Sequence, residues 1–475
     1  MAHKGLTDTQ QEYLKEIQSQ LSQNVVANST EKAYVTGHEV NPEELTDAGA
    51  LRQQQLEDRL TTLTFSEEDL YFYLNVPRKP ASSTVVQYNV LNSYGEVGST
   101  RFVAEEDIAP QNDAQIDRKL VRLKFLSDTR NVSFAAQRVN ETTESMDVQT
   151  DASLRVVAKT IEWASYYGDA DLSDSPAQGD GLQFDGLAKM IAKGAPENVL
   201  DAKGAPLTEQ MLNVASTRIA KGYGTATDAF MPIGVLNNFN NTVLGRQRIF
   251  QTATPNGSLS SGVAITNFQS VRGNIELHGS TVMENDNILA EDFKPSRNAP
   301  LPAQLTATAK TGAKGKFREE DIGEHVYVVT VNGVGTVSAP SKEAVATVAN
   351  ADDGVELTVT LQTMYQQSPQ FVSIYRKGKS GDFRLIKRIA TKGENSVTFT
   401  DVNDVLPDTA DVFVGQFTED VVSIYELLPL VKVDMARTNA STTFSVLWYG
   451  ALALKAPKKF AHIKNVAYVP TNDVL

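Results

Sequence analysis

The side chains best suited to chemistry are scattered along this chain. Five histidines, His3, His38, His278, His325 and His462, are widely spaced, and no two stand at the interval of a metal-ligand pair. His325 opens a β-strand pattern, where a histidine is most often structural. Gly312-Ala-Lys-Gly-Lys316 lacks the leading glycine and the Ser/Thr of a phosphate loop, and there is no Gly-x-Ser-x-Gly elbow. Asp169, Asp171, Ser173 and, at the twelfth position, Asp180 come nearest to a calcium loop. Asp174 stands where the sharp turn needs glycine, however, and Asp180 is shorter than the bidentate glutamate. No carboxylate pair can be singled out as an acid/base couple. The absence of cysteine excludes thiolate and disulfide chemistry. No catalytic, cofactor-binding or metal-binding residue is therefore assigned, and the chain is not expected to be an enzyme.

Composition narrows the class further. With 475 residues, 41% of them hydrophobic and 21% charged, the chain can build a sizeable core in two to four domains. No apolar run is long enough to cross a bilayer, and the first 20 residues are too polar for a signal peptide. A net charge of −14 argues against a protein whose main work is gripping phosphate backbones.

The elements follow from periodicity. From Asp147 to Tyr167, Leu154, Val157, Ala158, Ile161 and Ala164 recur at helical spacing, with Thr150 or Asp151 as cap and Gly168 as stop. A polar loop then leads to Phe184-Asp185-Gly186-Leu187. A second helix is expected over Leu207–Ala220, capped by Thr208, with Met211, Leu212, Ala215 and Ile219 as its apolar stripe. A short strand, Asp228–Met231, and a third helix opened by Pro232 come next. Upstream, helical patterns at 7–22 and 43–62 suggest an arm. Thr84–Val90 and Lys119–Phe125 read as an antiparallel ribbon, with Val121, Leu123 and Phe125 on one face and Arg122 and Lys124 on the other. Trp163, Tyr166 and Trp448 are expected in packing roles.

Between about Ala299 and Gly415 the pattern switches to short strands. Val326–Val331 runs into the turn dipeptide Asn332-Gly333, and Val355, Leu357, Val359 and Leu361 alternate. Val372–Arg376, Phe383–Ile389 and Val397–Phe399 complete a set of roughly seven strands, the signature of a β-sandwich. The runs Tyr327–Ser341 and Ser373–Lys377 look like a fibronectin type III or immunoglobulin-like module. Such an insertion brings its two ends together, so Gly273–His278 and Val421–Val433 are expected to pair in one host sheet.

This order of elements resembles the major capsid protein of tailed bacteriophages, the HK97 fold, and most closely that of large myophages of Gram-positive hosts. The strand Thr443–Lys455 and the following Ala456–Lys464 are similar to the family's closing strands. The resemblance implies an α+β fold in which an inserted all-β sandwich interrupts the capsid subunit. Its parts would be a helical N-terminal arm (1–65), extended loop and peripheral strands (66–140), spine helix and connecting loop (141–195) and axial domain (196–270). Peripheral strands (271–299), the sandwich (300–415) and closing peripheral strands (416–475) would follow. It further implies self-assembly into hexamers and pentamers of an icosahedral head, in the virion, after assembly in the host cytoplasm. The implied partners are a scaffold, a portal and a maturation protease. Double-stranded DNA would be enclosed without specific binding, and no membrane is involved. Glu105, Glu106, Asp107, Arg122 and Lys124 become candidate inter-subunit contacts. Some members join subunits by a Lys–Asn bond. Asn465 could be imagined in that role, but no acid catalyst is identifiable and no cross-link is expected. The competing readings are a tail sheath or tube subunit and a surface protein that binds carbohydrate through its sandwich.

Overall fold

The longest helix owes its position to where an apolar stripe begins and where a glycine ends it. The computed structural model describes residues 67–95, 102–106, 108, 113–138, 145–172, 181–244, 265–285, 287–290, 293–296, 298–333, 335–362, 368–436 and 440–468. The arm expected over 1–65, with both its helical patterns, lies outside them. Apart from short 3-10 turns, the chain runs through helix α1 (Tyr71–Asn75), strands β1 (Arg78–Pro80), β2 (Val85–Ser93), β3 (Gln115–Arg122) and β4 (Lys124–Ser133), then helices α2 (Ser145–Tyr167) and α3 (Leu187–Gly194). Next come β5 (Val199–Asp201), α4 (Glu209–Lys221), β6 (Asp228–Pro232), α5 (Ile233–Leu244), β7 (Asn267–Gln269), β8 (Asn274–Ser280) and α6 (Val282–Asn285). An all-β stretch follows: β9 (Ile288–Leu289), β10 (Gln304–Lys310), β11 (Gly323–Gly333), β12 (Thr336–Val337), β13 (Ala344–Val348), β14 (Gly354–Thr360), β15 (Phe371–Lys377), β16 (Phe383–Ala390) and β17 (Ser396–Asp401). The chain closes with β18 (Thr409–Gly415), β19 (Val422–Asp434), β20 (Ser441–Leu454) and β21 (Phe460–Ala467).

Helix α2 begins at Ser145, ahead of the expected cap. Thr150 and Asp151 lie inside it: the Thr150 hydroxyl donates back to the Met146 carbonyl at 2.8 Å, and Asp151 pairs with Arg155 at 2.8 Å. Polar residues in the first turn carry no periodic signal, which is why the start is hidden. The stripe Val157, Ile161 and Ala164 is buried, and α2 packs on β4 and β20. Around it cluster Phe72, Tyr166, Leu187, Phe444, Trp448 and Phe460. Trp448 satisfies its indole N–H by donating to Glu426 Oε1 at 2.9 Å.

At the end of α2 two stretches of backbone touch. The Gly168 N–H donates to Ala164 O, and the Gly186 N–H donates to Gly168 O, both at 2.8 Å. A Cβ on Gly168 would lie 2.4 Å from Phe184 O and 2.5 Å from Ala164 O. Gly168→Ala should therefore cost about 3 kcal/mol, the upper range for overpacking, because backbone cannot swing aside as a side chain does. Thermal unfolding checks this, and an unchanged midpoint would contradict the close approach.

The cap on α4 is where the sequence puts it, with Thr208 Oγ1 accepting from Met211 N at 3.3 Å. Leu212, Ala215 and Ile219 are buried beneath it, in a second cluster with Met231, Val412 and Ile463. Pro232 closes β6, and α5 starts one residue later than the proline-opened helix expected from sequence.

The ribbon differs from the sequence reading at its end, where Leu123 is buried but Phe125 is exposed and not on the same face. β2 and β3 pair antiparallel from Val85↔Arg122 to Ser93↔Gln115. The expected run through Phe125 breaks at Leu123, which is buried and whose N–H donates to Thr84 O at 2.8 Å. β4 then enters another sheet, and Phe125 sits edge-on to Tyr449 with ring centroids 4.8 Å apart.

Two sheets build the body, in strand orders β1-β19-β20-β4 and β5-β21-β18-β6-β8-β7. Gly273–His278 and Val421–Val433 therefore do not pair. β8 lies parallel to β6, with Asp228↔Glu276 in register, while β19 forms a long hairpin with β20. The close sequence neighbourhood of β19 and β20 favours that hairpin. β18, counted with the sandwich from sequence, hydrogen-bonds to β6 and β21 instead. β8 and β21, assigned from sequence to peripheral segments, share this sheet with β5 and β6.

The all-β stretch forms two further sheets. One is β10-β14-β17; the other is β12-β11-β15-β16-β9, with β13 on β11. They enclose Tyr327, Val329, Val355, Leu357, Val372 and Ile374. A charged pair is buried at the edge of this core. Arg376, 1% exposed, donates from Nη1 to Asp401 Oδ2 at 2.6 Å and from Nη2 to Asn403 Oδ1 at 2.7 Å. Asp401 also accepts from the Tyr327 hydroxyl at 3.0 Å and from the Asn403 N–H at 2.9 Å.

Candidate functional site

The ribbon of β2 and β3 has two unlike faces. Val86 and Val121 pack on the core beneath. The alternate positions Val85, Leu91, Ile116 and Leu120 are exposed, interspersed with Arg118 and Arg122. Beyond the strands, Tyr94, Phe102 and Ile108 are 86%, 90% and 96% exposed. A two-stranded ribbon is marginal in water, and this row leaves its outer face apolar and exposed.

The charged candidates come from separate elements. Glu105 and Glu106 are exposed in a turn, Arg122 is exposed at the last position of β3, and Asp107 lies outside the described residues. Lys124 begins β4 and its ammonium donates to the Gly181 carbonyl within the same chain. Of the calcium-like loop, Asp169 and Asp171 converge with Asp185 on the ammonium of Lys189, the last two at 2.7 and 2.9 Å; Ser173 and Asp180 are outside the described residues. Burial works against the Lys189 charge, but the three carboxylates hold its pKa above the ordinary lysine value. Asn465 is buried as a strut: its amide donates to Asp201 Oδ1 at 2.9 Å and Asp404 O at 3.0 Å, and its Oδ1 accepts from Leu406 N at 3.0 Å.

Folding also brings together groups that sequence spacing kept apart. Asp228, Glu276 and His278 offer ligand atoms within 4.8 Å of one another across β6 and β8. Parallel pairing puts them on one face, a signal that needs the strand register to be read. His278 Nε2 and Asp228 Oδ1 are 3.0 Å apart, and Tyr71 stacks on the imidazole at 3.7 Å, so the ring is already packed and hydrogen-bonded.

Glu162 was missed from sequence although it lies four residues after Ala158 and four before Tyr166, on the buried side of α2. It is 0% exposed and accepts from Tyr73 N at 2.7 Å and the Tyr166 hydroxyl at 2.9 Å. Burial pushes its carboxyl up to about 7 against these donors, and nearby Asp69 adds to the rise.

A profile of the SU10 major capsid protein matches residues 22–324, more than half of the chain. The chain belongs to the SU10 major capsid protein family. The major capsid proteins of Staphylococcus phages S25-3 and K are each 50% identical to it over 472 residues, covering 98% of this chain and 99% of theirs. A relative from Enterococcus phage phiEF24C is 50% identical over 448 residues, 93% of this chain and 96% of that one. Solved structures of capsids and of an encapsulin resemble this chain at low sequence identity. They include the capsid of a native GTA particle (TM-score 0.46, 8% identity, 90% of this chain and 100% of that one) and that of Myoviridae phage XM1 (TM-score 0.42, 10% identity, 90% and 100%). As a major capsid protein the chain is a component of the virion, and the tail-subunit and carbohydrate-binding readings give way. No helix among the described residues is long and apolar enough to cross a membrane.

Proposed function

We propose that this capsid protein acts by interface formation alone, without a catalytic step, assembling into hexamers and pentamers of an icosahedral shell. The observation that carries the reading is the ribbon's exposed apolar row, Val85, Leu91, Ile116 and Leu120, which asks for a neighbouring subunit as its cover. The ribbon then serves as the extended loop, α2 as the spine helix, and Glu105, Glu106, Asp107, Arg122 and Lys124 as inter-subunit charge contacts. The β9–β17 stretch is an inserted immunoglobulin-like module, supported by its own apolar core and by chain ends that return to the body sheet. The net charge of −14 suits a shell that encloses double-stranded DNA without gripping it. Scaffold, portal and maturation protease are its assembly partners.

The test is a charge placed in the apolar row. Ile116→Asp with Leu120→Asp should leave the unfolding midpoint of the isolated subunit within a few degrees of wild type. The yield of closed shells, counted by electron microscopy after co-expression with the neighbouring phage genes, should fall at least about tenfold, as burying two unpaired carboxylates costs several kcal/mol. Normal shells from this variant would refute the ribbon's role.

A further inference from the structure

Where the β9–β17 stretch meets the body, a cavity of about 310 Å³ is lined on one side by Arg384, Lys387 and Arg388 of β16, and on the other by Tyr167, His462 and Lys464. The two arginines are short of partners. The Arg384 side chain is 6% exposed, yet its Nε and Nη2 make no hydrogen bond. Its guanidinium rests on the Tyr468 ring, 4.8 Å from the centroid. Asp408 Oδ1 lies 3.4 Å from Nε and pairs with it in charge without a hydrogen bond, while accepting from the Ser380 hydroxyl at 2.6 Å and the Ser380 N–H at 3.2 Å. Arg388 lies over the Trp163 ring at 4.0 Å, with no carboxylate at ion-pair distance among the described residues. Burial pushes its guanidinium down to about 10, against the smaller upward pulls of Tyr375 and Asp169.

Three other charged groups around the cavity have partners of their own. Asp169 is held by Lys189, Asp411 lies 2.9 Å from His462 Nε2, and Lys464 reaches Asp404 at 3.0 Å. The unbonded N–H donors of Arg384 and the guanidinium of Arg388 thus face a partly desolvated space, which is costly until an acceptor enters. Guanidinium presents a planar fork of N–H donors that matches an oxyanion and lacks a match in chloride. Asn287 also lines the cavity, and its Oδ1 is buried without a donor. An anion that carries an O–H of its own can supply one.

We propose that this cavity binds a protonated tetrahedral oxyanion, inorganic hydrogen phosphate, between Arg384 and Arg388, and that the bound anion ties the β9–β17 sheets to the body of the subunit. Phosphate accepts from both guanidiniums and donates to Asn287, whereas sulfate at neutral pH can only accept. The site would be strongest for phosphate, weaker for sulfate and absent for chloride.

The purified full chain provides the test. Its unfolding midpoint is measured against sodium phosphate, sulfate and chloride at equal ionic strength, with tryptophan emission followed in the same titrations. Phosphate should raise the midpoint by a few degrees and shift the emission, because drawing Arg388 towards the anion changes the Trp163 environment while Trp448 stays in the core. Arg388→Gln and Arg384→Gln should each weaken the apparent phosphate affinity about tenfold or more, the loss of one charge-assisted hydrogen-bonding partner. Where Arg384→Gln fails to fold, Arg388→Gln decides, since its side chain is in part exposed. An equal midpoint rise in chloride, or a phosphate effect that survives Arg388→Gln undiminished, would overturn the site.

Discussion

Replacing Glu162 by alanine should cost the subunit about 3–5 kcal/mol, whereas glutamine should cost little and become the more stable form as pH rises. Alanine leaves the Tyr73 N–H and the Tyr166 hydroxyl without an acceptor in a dry core, and opens a cavity where the carboxyl stood. Glutamine keeps one oxygen for Tyr73 and offers its amide to the Tyr166 oxygen. The pH dependence follows from the raised carboxyl, at about 7 in the folded state against an ordinary 4.5. Below 4.5 both states hold the proton and Glu162 contributes no pH dependence. Between 4.5 and about 7 the folded state keeps a proton that the unfolded chain releases, so stability falls as pH rises, by about 3 kcal/mol in all. Above about 7 the loss is complete. Urea unfolding of wild type and Glu162→Gln from pH 5 to 8 measures this directly. The two curves should diverge with pH, and parallel curves would mean that the buried carboxyl does not titrate in this window.

The second large effect belongs to the charged pair at the edge of the all-β core. Asp401→Ala should destabilise by about 3–5 kcal/mol, because it strands the Arg376 guanidinium and removes the acceptor of Tyr327 and Asn403. Arg376→Met should cost somewhat less, since the donors left beside Asp401 still neutralise part of its charge. The double variant Arg376→Met with Asp401→Leu should cost less than the sum of the singles, as no unpaired charge remains. The cycle is read from unfolding midpoints, together with protease sensitivity of β10–β17. Additive costs would show that the two groups are not energetically coupled.

These two sites show what the sequence discloses and what it hides. The stripe on α2 and the Thr208 cap were legible because helix periodicity and capping are local. The boundary at Leu123 was not: alternation continues through it to Phe125, and only burial of that residue against the body makes the strand change sheets. The partners of β8, β18, β19 and β21 were equally hidden, because strand order is a long-range fact. Glu162 sits in a stripe whose apolar members carry the periodic signal, so the burial of an acid there is not legible. Glu105, Glu106, Arg122 and Lys124 could be named as charges beside a ribbon. Sequence offered no sign that Lys124 would turn to Gly181 of its own chain. Arg384 and Arg388 lay in a strand read only for its alternation.

The single-residue joint at Leu123 has a mechanical meaning. β3 passes into β4 with no slack, and β4 is bonded along its length to β20, from Lys124↔Gly450 to Ser133↔Ser441. A pull along β3 therefore loads that ladder lengthwise, so its hydrogen bonds resist together instead of opening one after another. The ribbon is rooted in the sheet beneath α2 as a tendon is rooted in bone, and tension at its tip reaches the core of the subunit before it can be dissipated in a loop.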